Sequence, residues 1–205
     1  MGIIKKYTED NCQIAIWEIT ESEEEFRKIG RILGVPIWLV GSTSIDYLKF
    51  KSEKRKKEFL ACRLLLNEIS PNITITYNEF GVPKLDNGQH ISISHSKNLA
   101  AIIISKTKVG LDIEQISDKP LRVFLKFMST KAHQNLTQEK ATLIWCCKEA
   151  IFKWHQKGNV DFKKDIKIDE FDTKEKGEVI CNFKEEKIIV KYRKINNHYL
   201  VYVCK

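Results

Sequence analysis

Three short runs in the middle of the chain constrain the fold more than any other feature. Residues 91–95 alternate apolar and polar side chains, residues 99–104 are nearly all apolar, and residues 109–114 alternate again. Alternation with a period of two is typical of β-strands. The connections between these runs are short, and they join antiparallel strands because a parallel pair needs a crossover of about a dozen residues or more. An antiparallel sheet is therefore expected.

Helical patterns lie on both sides of these strands. Residues 44–70 place apolar side chains at helical spacing and end at Pro71, and residues 121–128 and 137–156 are helical again. The acidic residues 21–25 are expected to open an earlier helix, because carboxylates stabilise the first turn. Further strands are expected at residues 73–77, 178–183, 187–192 and 199–204.

This order of helix, strands, helix and strands predicts an α+β fold. We expect two pseudo-symmetric halves, each a small antiparallel sheet packed on a long helix. The polar turn at residues 106–108 marks the join, so residues 1–107 would form the N-terminal half and residues 108–205 the C-terminal half. We expect one pseudo-dimeric unit with the active site between the halves.

The net charge of the chain indicates a polyanionic partner but does not identify which polyanion it is. The 205-residue chain has a formal net charge of +8, and residues 108–205 hold 20 Lys and Arg against 14 Asp and Glu. A basic surface attracts polyanions, which include nucleic acid, a phosphorylated cofactor and an acidic protein. No apolar run approaches the roughly 20 residues of a membrane span, and no signal-peptide layout is present. A cytoplasmic protein is expected.

The six cysteines show no spacing typical of a metal site or a disulfide framework. Cys146 and Cys147 are adjacent, which suits neither a redox pair nor a zinc site. We therefore expect free, mostly buried thiols, and neither structural zinc nor a structural disulfide.

Asp112 and Glu114 form the first candidate site. They lie two residues apart on a predicted strand, so both carboxylates point to the same face. Two oxygen ligands on one face suit Mg²⁺, whose octahedron is completed by water and phosphate. Taken alone, the pattern is more typical of an ordinary polar strand face.

The second and third candidates lie on a helix and on a strand. Trp145, Glu149 and Lys153 are spaced i, i+4 and i+8, which places them along one helical stripe. Ser94 and His95 close a predicted strand, where hydroxyl, imidazole and backbone N–H groups suit phosphate. A serine nucleophile with a histidine base is disfavoured, because adjacent strand residues point to opposite faces and no GxSxG turn is present. A structural Glu–Lys pair and a structural histidine remain the alternatives.

Four motifs occur in a fixed order along the chain: Gly81-Val82-Pro83, Ile93-Ser94-His95-Ser96, Gly110-Leu111-Asp112-Ile113-Glu114, and Trp145 with Lys148-Glu149-Ala150 and Lys153. Together they resemble the signatures of the 4'-phosphopantetheinyl transferase superfamily. The match is similar to the surfactin-synthetase type, in which a single chain has two pseudo-symmetric halves. The helix from residue 55 to residue 66 is a looser match.

The resemblance implies a role for each motif residue. Asp112, Glu114 and Glu149 would be ligands of Mg²⁺, or of Mn²⁺ in its place. Asp112, Glu149 and Lys153 would be catalytic, with Glu149 also the proposed general base and Lys153 beside the diphosphate of coenzyme A. His95 would contact the 3'-phosphate of coenzyme A. The other implied contacts to coenzyme A are Ser94, Arg55, Arg63, Pro83 and Lys84.

The implied activity is transfer of 4'-phosphopantetheine from coenzyme A to a serine of an acyl or peptidyl carrier protein, with release of adenosine 3',5'-bisphosphate. Carriers of fatty-acid, polyketide and nonribosomal peptide biosynthesis all fit. A monomer that binds neither membrane nor nucleic acid is expected.

Three residues or segments depart from the family pattern. Val82 replaces the usual lysine of the Gly-Lys-Pro turn, Cys146 replaces a small residue, and residues 158–160 match poorly. Two alternatives therefore remain: a catalytically impaired homologue that binds coenzyme A or a carrier, and a basic nucleic-acid-binding protein.

Overall fold

The computed structural model describes residues 2–35, 47, 50–128 and 136–205. These residues form two compact units. One comprises the described residues up to Lys108 together with Cys204, and the other comprises Val109–Val203 and Lys205. Antiparallel strand pairs and α-helices occur in the chain, so the predicted α+β class is confirmed. The pseudo-symmetry of two halves stays a prediction.

The first unit is built on a four-stranded antiparallel sheet. The described part of the whole unit contains six strands, which are β1 (Ile3–Glu9), β2 (Cys12–Glu18), β3 (Ile75–Tyr77), β4 (Pro83–Leu85), β5 (His90–Ser96) and β6 (Leu99–Ser105). The main sheet has the order β1-β2-β6-β5, and β3 and β4 form a separate two-stranded ribbon. Asp10 and Asn11 connect β1 to β2 with φ values of 52° and 59°, the left-handed conformation that a two-residue hairpin turn requires.

Two helices accompany this sheet. α1 (Glu23–Ile32) starts with a capping box, in which Ser22 and Glu25 each accept from the other's backbone N–H. α2 (Glu53–Ile69) packs on β2 and β6. The predicted helix over residues 44–70 is confirmed for α2, and residues 44–46 and 48–49 lie outside the described residues. The buried α2 side chains that meet the sheet include Phe59, Leu60, Cys62, Leu64, Leu65 and Leu66.

The second unit is a five-stranded sheet with one long helix. Its elements are β7 (Val109–Gln115), α3 (Asp118–Arg122), a 3₁₀ turn (Phe124–Lys126), α4 (Gln138–His155), β8 (Ile166–Ile168), β9 (Lys176–Phe183), β10 (Glu186–Ile195) and β11 (His198–Cys204). The strand order is β7-β11-β10-β9-β8. α4 begins at the N-cap Thr137, whose hydroxyl accepts from the N–H of Lys140. The core of the unit lies between α4 and the sheet.

Gly110 allows α4 to approach β7 more closely than any side chain would permit. A Cβ at this position would lie 2.1 Å from the carbonyl oxygen of Ala150 and 2.5 Å from the backbone nitrogen of Trp154. Both are backbone atoms of the helix, so neither can move aside independently. The close contact at Gly110 therefore fixes the position of α4 along β7. Asp112 lies two residues further along the same strand.

Lys148 ties the far side of α4 to the segment before β8. Lys148 is 3% exposed, and its ammonium donates to the carbonyl oxygen of Phe162 at 2.6 Å and to that of Ile166. Burial lowers the pKa of Lys148 to about 8. Two backbone carbonyls therefore replace water around this lysine.

The cysteines correct one expectation. Cys12 and Cys204 form a disulfide with a Cα–Cα distance of 6.9 Å, so the prediction of free thiols throughout is wrong for these two. A separation of 192 residues gives no spacing signal from which the pair could be recognised. The four free thiols, Cys62, Cys146, Cys147 and Cys181, are buried as predicted.

Four strands were not predicted: β1, β2, β4 and β8. In the predicted helix at residues 121–128, only the end of α3 and a 3₁₀ turn occur. Within the described residues, no helix combines the length and the apolar character that a membrane span needs.

Candidate functional site

One face of β7 presents the predicted carboxylates to α4. Gly110 touches the helix backbone, and Asp112 and Glu114 follow at two-residue intervals, so all three lie on the α4 side of the strand. Asp112 is buried, at 4% exposed, and Glu114 is partly exposed. The alternation in the sequence predicted this shared face correctly.

Side chains on the predicted stripe of α4 form hydrogen bonds with side chains on this face of β7. Lys153 Nζ donates to Asp112 Oδ1 at 2.8 Å, and Trp145 Nε1 donates to Glu114 Oε1 at 3.3 Å. The later helix residue thus meets the earlier strand residue, so α4 runs antiparallel to β7. Glu149 lies on the same stripe between Trp145 and Lys153.

Glu149 is a partly buried carboxyl with a raised pKa in this cluster. Burial, with the charges of Asp112 and Glu114, raises the pKa of Glu149 to about 7, and the charge of Lys153 opposes this shift. A carboxyl with a pKa near neutrality can accept a proton and release it again under physiological conditions. The three carboxyl groups and the Lys153 ammonium therefore form one electrostatically coupled cluster.

Cys146 lies behind this cluster and takes no chemical part in it. Burial raises the pKa of the Cys146 thiol well above its usual value, and the neighbouring charges of Asp112 and Glu114 add to the effect. The thiol donates to the carbonyl oxygen of Tyr199 at 3.6 Å. Cys146 thus remains protonated at neutral pH.

The carboxylates are not arranged as a closed metal cage. Among the described residues, no group of three or more His, Cys, Asp and Glu side chains lies close enough to hold a metal ion. The donor set nonetheless suits a divalent cation: Asp112 and Glu114 disfavour the charge on Glu149, and a cation would relieve that repulsion. The assignment of these three residues as metal ligands stays a prediction.

The first unit holds a second polar cluster around His95. β5 places His95 on the same face as Ile91 and Ile93, and this face packs against α2. His95 Nδ1 lies 3.2 Å from Glu58 Oε1, and its Nε2 contacts Arg55 NH1. Two residues predicted to bind phosphate, His95 and Arg55, are thus in direct contact.

The remaining predicted contacts of coenzyme A are dispersed in the first unit. Arg63 lies over the Phe59 ring, 3.4 Å from its centroid, and donates to the Tyr77 hydroxyl at 3.3 Å. Ser94 is buried, and Pro83 and Lys84 begin β4. Their roles stay predictions.

Glu58 was missed by the motif analysis. Its signal was available: Glu58 precedes Cys62 by four residues and Leu65 by seven, which places a carboxylate on the apolar stripe of α2. A charge on a buried stripe needs a partner, and His95 and Arg55 are the partners.

Comparison with known proteins agrees with these motifs. Residues 108–204 match the model of the 4'-phosphopantetheinyl transferase superfamily. The 4'-phosphopantetheinyl transferase gsp of Aneurinibacillus migulanus is 33% identical over 102 residues, a match that covers 46% of this chain and 43% of that protein. The chain thus spans less than half the length of the curated relative that it matches.

The second unit, which carries the carboxylate cluster, contains nearly all of the matched residues. Residues 108–204 are similar to the 4'-phosphopantetheinyl transferase superfamily, and the resemblance indicated by the motifs is confirmed. Both the family and the relative are named as transferases.

Proposed function

We propose that the protein transfers the 4'-phosphopantetheine group of coenzyme A to a serine of an acyl or peptidyl carrier protein and releases adenosine 3',5'-bisphosphate. The observation that carries the proposal is the coupled cluster on β7 and α4. There Glu149, with a pKa raised to about 7, lies among Asp112, Glu114 and Lys153, within the segment that matches the transferase family.

Mg²⁺ fits the donors of this cluster. Asp112, Glu114 and Glu149 would hold it, because hard carboxylate oxygens are its preferred protein ligands. When bound, the cation would neutralise negative charge on the diphosphate of coenzyme A.

The protein's own groups supply positioning and proton transfer. Glu149, or a water that it orients, accepts the proton of the carrier serine. The serine oxygen bonds to the phosphorus next to pantetheine, and the bond from that phosphorus to the oxygen bridging the diphosphate breaks. Lys153, which pairs with Asp112 at 2.8 Å, offers an ammonium to phosphate oxygens. Such reactions depend chiefly on positioning and electrostatics.

The partner class follows from the reaction and from charge. A net charge of +8 suits an acidic carrier protein and accelerates its encounter with the enzyme. Action as a monomer, without nucleic acid or membrane, stays a prediction.

Mass spectrometry of apo-carrier proteins tests the proposal. Fatty-acid, polyketide and peptide-synthetase carriers are each incubated with the protein, coenzyme A and Mg²⁺. We expect at least one to gain the mass of one phosphopantetheine group on its serine. EDTA and a carrier with that serine replaced by alanine are the controls, and both should prevent the gain.

Binding of coenzyme A without mass gain on any carrier would contradict transfer and favour the impaired homologue. A gain that survives EDTA would contradict the role of the cation.

A further inference from the structure

Glu58 is a buried carboxylate to which no motif assigns a role. It lies in the second turn of α2, where the flanking charged residues are lysines and arginines, and it is 4% exposed. Burying a carboxylate costs free energy unless its charge is paired and its oxygens accept hydrogen bonds. The neighbours that compensate this cost indicate what Glu58 does.

Both carboxylate oxygens of Glu58 are engaged. Oε1 lies 3.2 Å from His95 Nδ1 and 3.8 Å from Lys54 Nζ, and Oε2 lies 3.4 Å from Arg55 NH1. Lys54 and Arg55 precede Glu58 on the same helix, but His95 comes from β5. Glu58 therefore joins α2 to the end of the strand that carries the predicted phosphate-binding histidine.

The carboxylate is ionised at neutral pH. Burial alone raises the pKa of Glu58, but the hydrogen bond and charge of His95, with contributions from Lys54 and Arg55, outweigh burial and lower that pKa below its usual value. A carboxylate only accepts hydrogen bonds, so the His95 Nδ1 that faces it must carry a proton.

This hydrogen bond determines what His95 presents elsewhere. A partner on Nδ1 fixes the tautomer and the ring orientation, as it does in histidines that bind metals. Nε2 then points to the Arg55 guanidinium, which it contacts. With Nδ1 protonated, Nε2 accepts from Arg55, and the other N–H groups of that guanidinium remain to donate to a phosphate monoester.

We propose that Glu58 is a positioning residue that orients His95 and Arg55 toward the 3'-phosphate of coenzyme A without touching that phosphate itself. The inference rests on the proposed function, since it concerns how the same substrate is recognised. Repulsion between Glu58 and the phosphate is offset, because the Glu58 carboxylate is already paired with Arg55 and Lys54.

Kinetics with two substrates test the role. Coenzyme A and dephospho-coenzyme A, which lacks the 3'-phosphate, are compared for the wild type, Glu58→Gln and Glu58→Met. Removing the group that orients a functional histidine costs roughly 10- to 100-fold in metal sites. We expect Glu58→Met to raise KM for coenzyme A by about 10-fold or more, with kcat and the KM for dephospho-coenzyme A unchanged. Glu58→Gln keeps an amide oxygen that accepts from Nδ1, so its effect should be smaller.

Glu53→Gln is the matched control. Glu53 lies on the same helix, pairs with Lys57 at 3.8 Å and is exposed, so the substitution changes net charge equally without touching His95. It should leave both KM values as in the wild type. An equal rise of KM for coenzyme A in Glu53→Gln would show that net charge, rather than positioning, is responsible and would overturn the proposal.

Histidine-ring ¹⁵N NMR provides a readout that does not depend on transfer activity. The His95 signals, assigned with His95→Gln, should show a protonated Nδ1 in the wild type and a shift toward protonated Nε2 in Glu58→Met. If Glu58→Met does not fold, the KM split of Glu58→Gln decides instead.

The failure of this inference is distinct from failure of the proposed function. A wild type that modifies no carrier contradicts the proposed function, whereas the NMR result still reports on Glu58. A wild type that prefers coenzyme A, with Glu58→Met raising both KM values equally or lowering only kcat, overturns the positioning role.

Discussion

At the residue scale, Glu149 stands among charges of its own sign. Its pKa of about 7 results first from burial and then from Asp112 and Glu114, so a substitution at any of these three positions should change the behaviour of the others. Interacting groups of this kind titrate together rather than one by one.

Asp112→Ala should lower the rate of transfer by more than about 100-fold, the scale on which removing one group that stabilises developing charge acts. Glu149→Gln should be as damaging, because it keeps the shape but loses the charge and the proton acceptor. Carrier modification is measured under single-turnover conditions, and circular dichroism checks the fold. Near wild-type transfer by Asp112→Ala in Mg²⁺ would place the reaction elsewhere.

His95→Ala should act on binding instead of chemistry. Losing a hydrogen bond to a charged group costs about 1.5–3 kcal/mol, so KM for coenzyme A should rise about 10- to 100-fold with little change in kcat. Dephospho-coenzyme A should be nearly unaffected. An equal loss with both substrates would mean that His95 has another role.

Glu58 should also leave a signature in stability. Its pKa is lowered in the folded protein, so its contribution is present above its usual value of 4.5 and is lost as pH falls through the folded-state pKa. The difference in free energy of unfolding between wild type and Glu58→Gln should therefore shrink as pH falls below that value. Urea titrations across acidic pH measure it, and a pH-independent difference would contradict the pairing with His95.

At the scale of elements, the contact between β7 and α4 depends on Gly110. Gly110→Ala would place a methyl group 2.1 Å from the carbonyl oxygen of Ala150, so the helix must shift. Overpacking of this kind costs about 1–3 kcal/mol or more, and transfer activity should fall with it, since Asp112 and Lys153 would separate.

Ile113→Val is the control for Gly110→Ala. It is a comparable change on the same strand, should cost about 0.5–1.5 kcal/mol and should spare activity. Thermal and urea unfolding measure both variants, and a stable, active Gly110→Ala would show that the two elements tolerate separation.

Sequence periodicity predicted the relative placement of these side chains, because that placement depends on local geometry. The period of two put Asp112 and Glu114 on one face, and the helical stripe put Glu149 and Lys153 opposite them. The pairing of Glu58 with His95 escaped prediction, because the two are brought together by packing of α2 on the sheet that contains β5 and not by their spacing.

The missed strands have a related cause. β2 is buried at almost every position, so its pattern is nearly continuous rather than alternating. Such a run cannot be distinguished from a buried helix by periodicity alone. β8 has only three residues, too few to establish a period.

At the scale of the whole molecule, the Cys12–Cys204 disulfide closes nearly the entire chain into one loop. In the chain-entropy account a loop of this length contributes up to about 5 kcal/mol. Reduction should lower the free energy of unfolding by an amount up to that value, and Cys12→Ser should do the same without reductant.

Thiol counting by mass spectrometry checks the pairing. After denaturation without reductant, alkylation should modify the four free cysteines and leave Cys12 and Cys204 unmodified. Labelling of all six would show that the pair is reduced in the protein as isolated, and reductant should then leave stability unchanged.

Because Lys148 is buried, the rate at which its amine is labelled can report local opening of the protein. Lys148 is only 3% exposed, so its amine is shielded from reagents. Acylation at this position must wait until the segment that carries the Phe162 and Ile166 carbonyls detaches from α4. The labelling rate of Lys148 therefore measures how often that segment opens, while surface lysines record only the supply of reagent.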